Sequence, residues 1–161
     1  MGLFTRSAER VPCTVEVSHR FQSLHAHVRF NNGAVVHPGD EVLAITPVWP
    51  NLVAQPRIMG AHLRTLSLQV VNGGWRLDLD ALLSAIGPQT KLLIVNAPNN
   101  PTGWTLTREE QQAILQRCRV TGTWILADEV YEALYYAPTE NACAPSFLDV
   151  ADPQDRLVVV H

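Results

Sequence analysis

The 161-residue chain has the length of one domain and can bury a core of its own. With 47% apolar and 17% charged residues it reads as globular, not disordered. A net charge of −3, with basic residues scattered singly, excludes an electrostatic pull toward nucleic acid or anionic lipid.

No apolar run approaches the roughly 18 residues of a membrane span, and the first residues lack the apolar stretch of a signal peptide. Cys13, Cys118 and Cys143 are far apart and form no CxxC pair, so neither a zinc site nor a disulfide framework is suggested. Reduced thiols in a cytoplasmic setting are the expectation. His25 and His27 would share one face of a strand, but no third ligand stands nearby, and no metal site is expected.

Residues 1–36 show no sustained helical period. Alternation in residues 14–17 and 25–30 predicts short strands, and Asn32-Gly33 is a turn signal. From Pro38 the pattern becomes regular. Pro38-Gly39-Asp40 is a turn, and residues 41–46 (EVLAIT) read as a short buried strand that Pro47 ends. Residues 49–59 carry apolar positions at helical spacing, and Gly60 closes that helix. Residues 63–70 read as a second strand, Asn72-Gly73-Gly74 as a turn, and Asp78 or Asp80 as the cap of a helix running to about Ile86.

Residues 91–96 (KLLIVN) are nearly all apolar, as a strand covered on both faces requires. After the loop APNNPTG, residues 107–110 (TREE) form a capping box that opens a helix to about Arg119, with Ile114, Leu115 and Cys118 inward. Residues 123–127 and 156–160 are two further apolar strands. Strands alternating with helices at this spacing predict an α/β fold: a mostly parallel sheet with crossover helices.

In such sheets ligands bind where the carboxyl ends of the strands meet their loops. Three distinctive segments follow strands in this way: TPVWPN (46–51), NAPNNPTG (96–103) and ADEVY (127–131). No GxGxxG or GxxxxGK[ST] loop occurs, which leaves dinucleotide and P-loop readings without support.

The succession PGDEVLAITPVWPN, VNAPNNPTG and LADEVY, in this order and at these separations, resembles the large domain of class I/II aminotransferases of the pyridoxal-phosphate (PLP) fold type I. The likeness covers residues 38–161, so residues 1–36 stand as an unmatched N-terminal segment and 37–161 as part of the PLP-binding large domain. It implies PLP as cofactor and amino-group transfer between an amino acid and a 2-oxo acid. In intact relatives it also implies a homodimer.

By the same resemblance, Asp128 matches the carboxylate that keeps the pyridine nitrogen protonated, which makes the ring an electron sink. Asn100 and Tyr131 match the amide and phenol that share the cofactor's phenolic oxygen, and Trp49 the aromatic residue that stacks on the ring. Read without the resemblance, Asp128 and Asn100 are turn residues, and Tyr131 and Trp49 packing aromatics. Pro47 and Pro101 match positions where relatives often have cis peptide bonds.

Two departures from the family pattern shape the expectation. The SxSK segment with the Schiff-base lysine would follow the strand at 156–160, and the sequence reaches only His161. Residues 1–36 also contain no recognisable phosphate-holding loop. The expectation is therefore an interrupted enzyme, with no catalytic residue of its own and inactive alone. The alternatives are a non-catalytic α/β domain descended from a PLP enzyme, and part of a PLP-dependent lyase or synthase.

Overall fold

The computed structural model describes residues 13–20, 23–30, 36–136 and 143–161. The chain divides into two units, Met1–Val35 and Val36–His161. In the first, β1 (Cys13–Arg20) and β2 (Ser23–Phe30) pair antiparallel, with Cys13 opposite Phe30 and Arg20 opposite Ser23. The alternation at 14–17 and 25–30 thus belongs to two longer strands. The turn expected at Asn32-Gly33 and the side chains of His25 and His27 lie outside the described residues.

The second unit is built on β3 (Glu41–Thr46), β4 (His62–Ser67), a hairpin of β5 (Gln69–Val71) and β6 (Gly74–Arg76), then β7 (Thr90–Asn96), β8 (Trp124–Asp128) and β9 (Leu157–Val160). Among the described residues three helices lie between them: α1 (Pro50–Ile58), α2 (Leu79–Ala85) and α3 (Arg108–Thr121). The main sheet runs β4-β3-β7-β8-β9, and every neighbouring pair is parallel. This is the α/β architecture expected from the alternation of elements.

The apolar strands are apolar throughout because both faces are covered. Val42, Ala44 and Ile94 face one side, where Leu52 and Val53 of α1 pack. Leu43, Ile45, Leu93, Val95 and Ile125 face the other, against Leu82 of α2 and Ile114, Leu115 and Cys118 of α3. Burial of this kind contributes about 1.5–3 kcal/mol for each large aliphatic side chain.

Helix α3 shows how local sequence sets an element's limits. Thr107 Oγ1 accepts from Glu110 N while Glu110 Oε2 accepts from Thr107 N, so the capping box is complete. Gln111, Ile114, Leu115 and Cys118 recur at helical spacing as its buried stripe. Gly122, at φ 74°, ends the helix in the left-handed conformation. Burial pushes the Cys118 thiol up to about 12. Helix α2 is capped by Asp78, which accepts from Ala81 N at 2.9 Å.

Two segments differ from expectation. The strand expected over 63–70 is broken at Leu68, whose buried side chain and bond to Thr46 O turn the chain out of the sheet. The rest forms the β5–β6 hairpin, with φ positive at both Asn72 and Gly73 as a two-residue turn demands. Between β8 and β9 the described residues include a 3-10 turn, Phe147–Asp149, capped by Ser146 and anchored by the buried Phe147. Among the described residues no helix is long and apolar enough to cross a membrane.

Candidate functional site

The sheet order reverses at β3. The chain leaves β3 for β4 on one side, then returns to place β7 on the other. Helix α1, after β3, packs on the Val42 face, whereas α3, after β7, packs on the Leu93 face. The loops at the carboxyl ends of β3 and β7 therefore part to opposite faces, which is where a parallel sheet opens its ligand crevice. TPVWPN and NAPNNPTG are those two loops.

The second loop is held by its own asparagines. Asn99 N donates to Trp104 O at 2.8 Å, and Gly103 N to Asn99 O at 2.8 Å. The Asn99 carboxamide accepts from Thr102 N at 3.1 Å and Thr102 Oγ1 at 2.7 Å, then donates to Pro47 O at 3.2 Å. Asn96, last residue of β7, donates from Nδ2 to Asp128 O at 3.1 Å and accepts from Asn100 N at 2.7 Å. Asn96 and Asn99 are almost fully buried. Three X-Pro bonds here are cis: Thr46-Pro47 and Asn100-Pro101, as the resemblance implied, and Ala97-Pro98.

Of the four candidate residues, Asn100 and Tyr131 meet directly, with Asn100 Nδ2 donating to Tyr131 Oη at 3.4 Å. Asp128 ends β8, in register with Asn96 of β7. Its Oδ1 is buried without a hydrogen-bond partner, a state shared among the described residues only with Thr105 Oγ1 and Gln111 Oε1. Burial pushes its carboxyl above the ordinary value, and the Val130 N–H pulls partly against that shift. Trp49 stands at the N-cap of α1, two residues beyond Pro47, with 52% of its surface exposed. All four thus stand at the carboxyl ends of β3, β7 and β8.

Glu129, beside Asp128, does different work. It is 3% exposed, and its two oxygens accept from Ser146 Oγ at 2.5 Å and Phe147 N at 2.9 Å. Burial raises its carboxyl despite both bonds. Glu129 pins the 3-10 turn to the sheet. Its ligand atoms also approach those of Glu132 and His161, and His161 Nδ1 lies 3.4 Å from Glu132 Oε1. With both Glu129 oxygens already engaged, the group reads as a structural contact.

Sequence reasoning did not single out Asn96, Asn99 or Glu129. The available signal was polarity out of place: an asparagine closing an apolar strand, another inside a proline-bounded loop, and a carboxylate next to a buried run.

Comparison with known proteins agrees with this geometry. The family model for aminotransferase class I and II matches residues 25–161, beginning within the segment where the sequence showed no likeness. A probable N-succinyldiaminopimelate aminotransferase, DapC, of Mycobacterium tuberculosis is 39% identical over 102 residues, covering 63% of this chain and 26% of that protein. An aspartate aminotransferase of Geobacillus stearothermophilus is 32% identical over 140 residues, covering 87% of this chain and 33% of that one. The solved N-succinyldiaminopimelate aminotransferase of M. tuberculosis superposes with a TM-score of 0.68 at 35% identity, over 78% of this chain and 32% of that one. The chain spans a third or less of the length of these relatives. A match over most of its residues shows that the chain belongs to the class I and II aminotransferases, a family whose members use pyridoxal phosphate.

Proposed function

We propose that this chain carries the ring-holding part of a pyridoxal-phosphate site, and that the enzyme it serves moves an amino group between an amino acid and a 2-oxo acid. The observation that carries this reading is the buried, unpartnered Oδ1 of Asp128 at the carboxyl end of β8. An orphaned buried oxygen costs about 1–3 kcal/mol in a folded chain, which favours its having a partner in use. A protonated ring nitrogen is a donor of the right charge.

The residues present fit the cofactor. Asp128 would accept the ring nitrogen's hydrogen bond and, as an anion, keep that nitrogen protonated. The positive nitrogen would in turn draw the carboxyl back from the raised value that burial imposes. Asn100 and Tyr131, already in contact, would donate together to the phenolic oxygen and stabilise its charge. Trp49 offers a half-exposed indole on the adjoining loop for stacking. Bound PLP supplies an electron sink for the pair left when a substrate loses its α-proton.

The single lysine, Lys91, is the second residue of β7 and lies toward the opposite end of that strand from Asn96. It is not the amine that anchors the cofactor, so the chain holds the ring and is inactive alone. The division into a segment at 1–36 and a PLP-binding part at 37–161 belongs to this reading. So does a cytoplasmic, homodimeric enzyme of amino acid metabolism, in keeping with relatives named as N-succinyldiaminopimelate and aspartate aminotransferases.

The test is a fluorescence titration of the chain with pyridoxamine 5′-phosphate, which binds without a lysine. Asp128→Asn keeps the shape and removes the charge. A hydrogen bond to a charged group contributes about 1.5–3 kcal/mol, so binding should weaken by about 10- to 100-fold. Equal affinity in both proteins would rule the reading out.

A further inference from the structure

We propose that Asn96 is a positioning residue whose single carboxamide sets the spacing between Asp128 and Asn100, and so between the two ends of the ring they would hold. The inference deepens the cofactor reading and rests on it. Asn96 is 2% exposed and touches neither a candidate substrate nor the crevice through a free atom, because both of its polar atoms are used. Nδ2 donates to the main-chain oxygen of Asp128 at 3.1 Å, and Oδ1 accepts from the main-chain N of Asn100 at 2.7 Å.

The two partners lie on different elements. Asp128 closes β8, whereas Asn100 stands four residues beyond Asn96, after the chain has left the sheet. The Asp128 oxygen also takes Ala97 N at 3.1 Å, so two donors from adjoining residues grip the last carbonyl of β8. In the loop, every N–H from residue 97 to 103 has a partner, Pro98 and Pro101 having none to offer. That of Asn100 depends on the Asn96 side chain alone. Without it, Asn100 would be free to turn its amide away from Tyr131 Oη.

Only a primary amide of this length performs the task. It places one donor and one acceptor on neighbouring atoms of a rigid plane. An aspartate offers acceptors only, so it keeps the bond to Asn100 N but turns an oxygen toward the Asp128 carbonyl and adds charge beside the Asp128 carboxyl. A leucine offers neither. A residue buried merely to satisfy the backbone would be tested by stability alone. A residue that sets the distance between two ligand-holding groups must also couple to them energetically.

The experiment is a double-mutant cycle on the chain, read as affinity for pyridoxamine 5′-phosphate, with circular dichroism to confirm that each protein is folded. Asn96→Leu, which removes both bonds and adds no charge, should weaken binding by about tenfold, and the same change in an Asp128→Asn background should cost about threefold or less. An equal factor in both backgrounds means that Asn96 acts independently of Asp128, and the proposal falls. Amide hydrogen exchange provides a second arm that needs no cofactor. Asn96→Leu should speed exchange at Asn100 N by about a hundredfold while Asn99 N, bonded to a backbone carbonyl, stays protected. Unchanged exchange at Asn100 overturns the clip itself, whereas failure of the parent chain to bind the probe overturns the cofactor reading beneath it.

Discussion

The carboxamide of Asn99 donates to the carbonyl oxygen of Pro47 at 3.2 Å, joining the loop after β7 to the loop after β3 across the point where the sheet order reverses. These loops leave toward opposite faces, and this bond crosses between them. It ties the segment that carries Asn100 to the one that carries Trp49.

Removing it should be felt as stability. Asn99→Ala strips Pro47 O of a donor and both Thr102 N and Thr102 Oγ1 of an acceptor, in a residue 5% exposed. Leaving buried polar groups unpaired costs about 1–3 kcal/mol, so the urea midpoint should fall accordingly. A variant that melts with the parent would show that the loops are held by other contacts.

Asp128 should weaken the fold in the absence of a cofactor, in a pH-dependent way. Burial raises its carboxyl above the ordinary 3.8, so the folded chain holds this proton more tightly than the unfolded chain does. The associated stability is whole below 3.8 and is lost as pH rises through the raised value. Asp128→Asn, which never ionises, should therefore be more stable than the parent at neutral pH, with the gap narrowing as pH falls through the raised value and closed below 3.8. Urea titrations across that range check it, and a gap independent of pH would contradict the assignment. The same substitution is expected to weaken ligand binding, a trade of function against stability.

Lys91 should form no specific adduct with the cofactor. It stands five positions before Asn96 in β7, about 16 Å at roughly 3.3 Å per residue, which carries it away from the carboxyl ends of the strands. Incubation with PLP, borohydride reduction and peptide mass mapping should give only slow, unsaturable labelling there. A stoichiometric adduct on Lys91 that pyridoxamine 5′-phosphate competes away would place the ring elsewhere.

Much of the fold was legible because its signals are local. The Thr107–Glu110 capping box, the helix cap read at Asp78 or Asp80 and the Asn72-Gly73 turn each involve three or four neighbouring residues; all three appear, and the structure gives the cap to Asp78. The strand read over 63–70 was misjudged for the complementary reason. Alternation within the segment cannot show that Leu68 is claimed by Thr46 O, 22 residues earlier. The same applies to Ser146 and Phe147, whose partner Glu129 stands 17 and 18 residues away.

The sequence by itself determined the run of strands and helices, the caps that delimit them, and which side chains carry an acid, an amide, a phenol and an indole. Only the tertiary structure decided that the Asn100 amide meets the Tyr131 phenol, that Asp128 keeps one buried oxygen unpartnered, and that Asn96 and Asn99 hold the loops around them. The reason lies in parallel pairing. Aligning β7 with β8, and β7 with β3, joins residues 32 and 52 positions apart, and no local pattern encodes a partner at that distance.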